Sequence, residues 1–284
     1  YEIEGSSCLS LFEIYRHLNT SANQKQISIL DLHNTLAENP AIKSIAGFYS
    51  LSDTDGSFVD NRISAAKTAG KKIKKAKKIT RLIRLIPYVK SVAISGSVSM
   101  TSPKPKSDID FFVISRKNRI WTVRFLTVLL THIIGQRRYK ATIDNKICLN
   151  LYIADEKTVF PIQNIASSHM IAKMLPIYQK DVFNRFLSAN KNWISKFITG
   201  FEKNFIINNP TENKRDNKNN TLISLLETVL AKLMSERMVR KTPLAKPPHL
   251  IINDNALVFY YPHSKNMEIM ERYDATLAFY KNKN

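Results

Sequence analysis

Two aspartates one residue apart, Asp108 and Asp110, open the apolar run DIDFFVIS at residues 108–115. In a strand, residues i and i+2 share a face, so both carboxylates point the same way while Ile109 and Phe111 pack behind. Side by side, the pair repels itself unless a cation lies between. Mg²⁺ is the natural counter-ion, hard and oxygen-seeking, its shell usually completed by substrate phosphates; Mn²⁺ suits the same donors. Upstream, VKSVAIS at 89–95 reads as a second strand that runs into Gly96-Ser97. A glycine there lets a polyphosphate approach the backbone, and the Ser97 hydroxyl and the amides of the following turn can donate to it. The plain alternatives are strand-end acids facing solvent and an ordinary strand-to-helix turn.

Gly96-Ser97, ten intervening residues and Asp108-Ile109-Asp110, with apolar strands on both sides, resemble the hG[GS]…Dh[DE]h signature of the DNA polymerase beta-like nucleotidyltransferase superfamily. The likeness covers roughly residues 65–175; weaker is the wider likeness to bacterial proteins that join a winged-helix-like segment to such a domain. The resemblance implies a two-metal transfer of a nucleoside monophosphate from a nucleoside triphosphate, ATP for instance, to an acceptor hydroxyl. It makes Asp108 and Asp110 the catalytic metal ligands. Gly96 and Ser97 would hold the triphosphate, with Ser107 and Arg124 as further nucleotide contacts. Many members add a third carboxylate on a later strand. Here that strand is KICLNLYI, where Cys148, Asn150 and Tyr152 are expected on one face and the central polar residue is Asn150. Asn150 can ligate a metal through its amide oxygen but is neutral and a poor base. Asp144, just ahead of the strand, could serve only if its loop bends inward. The departure keeps a second reading open: a nucleotide- or nucleic-acid-binding winged-helix protein whose transferase core is inert.

The 284 residues allow one large domain or two to three small ones, and 44% hydrophobic with 23% charged residues is a folding composition. Lys and Arg total 43 against 23 Asp and Glu, a net +20. Such a field draws polyanions: nucleotides, nucleic acid or an acidic surface. Half of that excess falls in 60–90, where eleven basic residues meet the single acid Asp60. Apolar residues at 69, 73, 76, 79, 83 and 86 make it an amphipathic helix, stopped by Pro87, with its lysines facing out. That face is either merely solvated or a nucleic-acid track, and it lacks the interleaved aromatics of a single-strand binder.

Two cysteines, Cys8 and Cys148, cannot build a disulfide framework, and Cys148 reads as a core thiol. The six histidines form no ligand pair, and His169 and His263 read as structural. Acids within Tyr1–Gly5 do not suit a secretory leader, and the apolar stretch Ile120–Gly135 is broken by Arg124 and His132. A cytoplasmic protein with no membrane span is the expectation. Arg124 is weighed between phosphate contact and an internal ion pair, while Arg137 and Arg138 read as surface residues.

The expected class is α+β: a small mixed β-sheet core with a winged-helix-like segment before it and a helical region behind it. Residues 1–60 carry helices at Leu9–Leu18, Ile27–Leu36 and Ala41–Ala46, then a hairpin, GFYSL and SFV, joined around Gly56. Residues 61–160 hold the basic helix, strands at Val89–Ser95, Asp108–Ser115 and Lys146–Ile153, and a helix at Arg119–Gly135. Residues 161–284 carry helices at Ile162–Leu175, Val182–Asn190, Trp193–Ile206 and Leu222–Arg240. A polar stretch at 208–220 and a break at Pro243–Pro248 interrupt them. A hairpin at His249–Tyr261 and a helix at Asn266–Tyr280 close the chain.

Overall fold

The computed structural model describes residues 8–17, 27–51, 57–139, 142–198, 201, 221–241 and 250–259. The turn expected at Asp53–Gly56, the stretch 208–220, the break at Pro243–Pro248, His263 and the helix expected at Asn266–Tyr280 lie outside the described residues.

The first unit is small. Strand β1 (Leu9–Ser10) leads into α1 (Leu11–His17), then come α2 (Ile29–Glu38), β2 (Ile42–Ile45) and β3 (Phe48–Leu51). The three strands form an antiparallel sheet in the order β1-β3-β2. Helix α2 starts on a capping box: the Ser28 hydroxyl accepts the Asp31 amide at 3.0 Å and the Asp31 carboxylate accepts the Ser28 amide at 3.3 Å. The helix expected at Ala41–Ala46 is instead strand β2. Pro40 breaks the helical path, and Ala46 and Gly47 take φ of +52° and +78°. Positive φ at both central residues suits the two-residue turn that antiparallel strands favour. The hairpin therefore turns there, and Phe58-Val59, read as a returning strand, opens a helix instead.

That helix is α3 (Phe58–Ile83), the basic one. Arg62 ties it to Glu13 of α1 at 2.5 Å, and the Cys8 thiol donates to the Phe58 carbonyl at 3.6 Å. Beyond it, β4 (Val89–Ser95), the short α4 (Gly96–Ser99), β5 (Ile109–Ser115), α5 (Ile120–Ile133) and β6 (Ile147–Ala154) follow in order. The chain goes on through α6 (Ile165–Ala172), β7 (Leu175–Tyr178), α7 (Lys180–Ile194), α8 (Thr221–Lys241), β8 (Leu250–Ile252) and β9 (Ala256–Phe259). Among the described residues the larger sheet has six strands, in the order β7-β4-β5-β6-β9-β8. Only β5 and β6, joined through α5, are parallel; the other neighbours are antiparallel. The class is α+β.

Alternation along the central strands splits the core in two. Ile94, Phe111, Val113 and Tyr152 face α3, α5 and α8, where Ile79, Ile83 and Leu230 meet them. Ala93, Phe112, Ile114 and Leu151 face α6 and α7, where Phe183, Phe186 and Trp193 fill the space. The Phe112 and Phe186 rings meet at 5.0 Å between centroids, tilted by 43°. Three of the six strands come from beyond residue 161, so that region builds sheet as well as helices. Helix α6 is shorter than expected, and Leu175–Tyr178 is an edge strand that tolerates Pro176 because an edge amide needs no partner. The helices expected at Val182–Asn190 and Trp193–Ile206 begin as one continuous helix, α7. Among the described residues no helix is long and apolar enough to cross a membrane.

Candidate metal centre

Antiparallel pairing sets Ser95, the last residue of β4, opposite Asp110 near the start of β5. The next residue, Gly96, turns the chain out of the sheet at φ +66°. A Cβ built on it would lie 2.5 Å from Asp110 Oδ2. No other residue leaves room for this carboxylate, so the glycine of the GS pair is explained by close approach as well as by conformation.

On the other side, parallel pairing sets Asp110 opposite Cys148. The next registered pair is Phe112 with Leu151, two residues on along β5 but three along β6. The extra residue is a β-bulge, and it changes which side chains share a face. Asn150 turns toward the acids, its Nδ2 donating to Asp110 Oδ1 at 3.2 Å. Tyr152, expected beside it, pairs with Val113 and lies on the opposite face, where its hydroxyl meets that of Thr127 at 2.8 Å. Arg124 is on that opposite face too: Nη1 donates to the Leu149 carbonyl at 3.0 Å and the guanidinium sits 5.2 Å from the Tyr152 ring centroid. Of the residues named for nucleotide, Arg124 is therefore placed away from the acids.

One oxygen from each of Asp108 and Asp110, with Cys148 Sγ, lie within 4.8 Å of one another, a group that could hold a metal ion. Asn150 Oδ1 is buried beside them with no hydrogen-bond partner. Two carboxylates and an orphaned amide oxygen suit a divalent cation. The electrostatics agree. Burial and the neighbouring Asp108 push Asp110 up to about 7, against the pull of the Cys148 thiol, Arg138 and Asn150. Burial, Asp110 and Asp108 together push the Cys148 thiol up, with Arg138 opposing.

Arg138, read from sequence as a surface residue, belongs to the site. Its amide donates to the Ile147 carbonyl at 2.9 Å. Its Nη1 lies 2.6 Å from Asp108 Oδ2 and 3.7 Å from Cys148 Sγ. Lys72 is the second surprise. Lys71, Lys74, Lys77 and Lys78 are exposed, but Lys72 is 2% exposed. It donates to the Ser107 carbonyl at 2.6 Å and Asn145 Oδ1 at 2.7 Å, clamping the loops that lead into β5 and β6. Burial lowers its pKa, with Asp144 and Asp108 opposing. Ser107, named for nucleotide, is used in that loop: its hydroxyl donates to the Lys104 carbonyl at 2.9 Å. Ser97 opens the turn after Gly96, its carbonyl accepting the Ser102 amide at 2.9 Å. Asp144 is exposed and accepts from Asn145 Nδ2 at 2.6 Å, so its loop does not bring it in as a third acid. Alternation could have flagged Cys148, two residues before Asn150. No local signal marks Arg138 or Lys72, whose roles depend on loops brought together by the fold. Comparison with family models, curated proteins and solved structures finds no match for this chain.

Proposed function

We propose that the chain is a divalent-cation-dependent nucleotidyltransferase, using Mg²⁺ or Mn²⁺, that moves a nucleoside monophosphate from a nucleoside triphosphate to an acceptor hydroxyl. One observation carries the reading: two carboxylates converge at a strand mouth, with a glycine bend pressed against one of them. Bound divalent cation would supply charge neutralisation and Lewis-acid polarisation of the phosphoryl group. Asp108 and Asp110 hold it, with Asn150 Oδ1 offering a neutral third oxygen. Gly96 leaves the backbone open to the triphosphate, and Ser97 donates to it. Arg138 must leave Asp108 before the carboxylate is free, and its guanidinium, 30% exposed, can swing to meet phosphate instead. The strand order β1-β3-β2, with two helices between β1 and β2, supports a winged-helix-like first unit. With the net +20, it favours a nucleic-acid partner.

A second reading rests on the Arg138–Asp108 pair and on an amide where a third acid would be: the core binds nucleotide without transferring it. Labelled nucleoside triphosphates, Mg²⁺ or Mn²⁺ and total cellular RNA or protein separate the two. Transfer by the wild type is expected, and its loss in Asp108→Ala/Asp110→Ala. Transfer that ignores the double substitution removes the site; nucleotide binding without transfer selects the second reading.

A further inference from the structure

The donor set at the strand mouth is not one that Mg²⁺ would choose. Magnesium takes oxygen and keeps most of its waters, whereas thiolate donors select zinc and softer ions. Cys148 stands directly opposite Asp110 in register, is 6% exposed, and has its sulfur within the same 4.8 Å as the two carboxylates. Zinc binds thiolate at about 2.3 Å and carboxylate oxygen at about 2.0–2.2 Å, so these three donors close on a single ion by drawing in toward it from their present spacing. Two independent observations point to a cation there. Asn150 Oδ1 is buried beside the group with no partner. The Arg138 guanidinium bridges Asp108 Oδ2 and Cys148 Sγ at 2.6 and 3.7 Å, so positive charge is already held between oxygen and sulfur.

We infer that Asp108, Asp110 and Cys148 form a site for a thiophilic divalent cation of the Zn²⁺ and Cd²⁺ class, bound in preference to Mg²⁺. The inference rests on the cation-binding part of the reading above and deepens it by naming the ion. Binding forms a metal–sulfur bond and releases the thiol proton to solvent, while Arg138 leaves Asp108 and turns outward. Asn150 Oδ1 supplies the fourth donor once its amide turns over and gives up the Nδ2 bond to Asp110.

Cadmium is the probe, because the thiolate-to-cadmium charge-transfer absorption in the ultraviolet reports the bond without any need for activity. The reduced, metal-free full chain is titrated with Cd²⁺. One ion per chain and the absorption are expected in the wild type and in Cys8→Ser, and the absorption is lost in Cys148→Ser. Asp108→Asn keeps Cys148 and raises the Cd²⁺ midpoint at least about tenfold, the scale on which metal sites respond to lost partners. It covers the case in which Cys148→Ser fails to fold. Zn²⁺ at the chain's own concentration removes the absorption; Mg²⁺ in large excess does not. Absorption that survives Cys148→Ser, vanishes in Cys8→Ser, or yields to Mg²⁺ as readily as to Zn²⁺ overturns the inference. Mg²⁺-dependent label transfer without the cadmium absorption leaves the transferase reading standing and refutes only this one. Absorption without label transfer does the reverse.

Discussion

Two carboxylates turned into this protein meet opposite conditions. Glu227 of α8 is 9% exposed and reaches the start of α5. There it accepts the Trp121 amide at 2.8 Å, the Thr122 amide at 2.9 Å and the Thr122 hydroxyl at 2.5 Å. Arg119, at the N-cap of α5, offers no side-chain cap, so the carboxylate from α8 satisfies amides that would otherwise have no partner. Asp110 is met by the Asn150 amide and the Cys148 thiol, and a second carboxylate, Asp108, stands beside it. The supplied acid holds helices together. The other, buried beside a like charge, costs the fold something, and such a cost persists where a ligand relieves it.

The largest effect tests that contrast directly. Glu227→Ala leaves two amides and a hydroxyl buried without an acceptor and is expected to destabilise by about 3 kcal/mol. Urea unfolding should show it as a lower midpoint at unchanged slope. Asp110→Asn removes a repelled charge and keeps the shape, so the metal-free protein should be as stable as the wild type or more so. If Asp110→Asn costs as much as Glu227→Ala, the two sites do not differ in kind.

A smaller effect is expected at Gly96. Alanine there must adopt φ +66° and place a methyl 2.5 Å from Asp110 Oδ2. The left-handed backbone alone costs about 1–2 kcal/mol, and the carboxylate must shift as well. Cd²⁺ affinity and label transfer should both fall, while Gly47→Ala, also at positive φ but with nothing within 4 Å, should affect stability alone. Equal metal affinity in the two variants would detach Gly96 from the site.

How much of this could be read in advance divides along the same lines. The central strands announce themselves as β-branched and aromatic runs, and the spacing of Gly96 to Asp108 and Asp110 is local, so the mouth of the site was legible. Periodicity also gave α5 and α8 to within a residue or two. What failed depended on register and on distant loops. Alternation along KICLNLYI put Tyr152 beside Asn150 because a bulge is set by pairing with β5 and not by the strand itself. Lys72 looks like every other lysine of α3 until Ser107 and Asn145 arrive, and Arg138 like a loop arginine until Asp108 does. Ile42–Ile45 is too short for its pattern to tell helix from strand, and the positive-φ pair at Ala46-Gly47 decided it.

His169 supplies the smallest effect and the opposite sign. Burial, with help from Lys173, pushes its pKa down to about 4, so the native imidazole is neutral at pH 7 and remains so well below the ordinary value of 6.5. The unfolded chain takes up the proton first, so stability is lost as pH falls from about 6.5 toward 4. Asp110 acts against this in the same range: a carboxyl held near 7 makes the metal-free fold lose stability as pH rises. The two slopes offset each other in the wild type. The Asp110→Asn background removes one of them, and there unfolding free energy should climb with pH between about 4 and 6.5. His169→Gln in that background should flatten the climb. Lys173, pushed down to about 8, titrates above this window and does not blur it. A slope that survives His169→Gln would mean that the proton is taken up elsewhere.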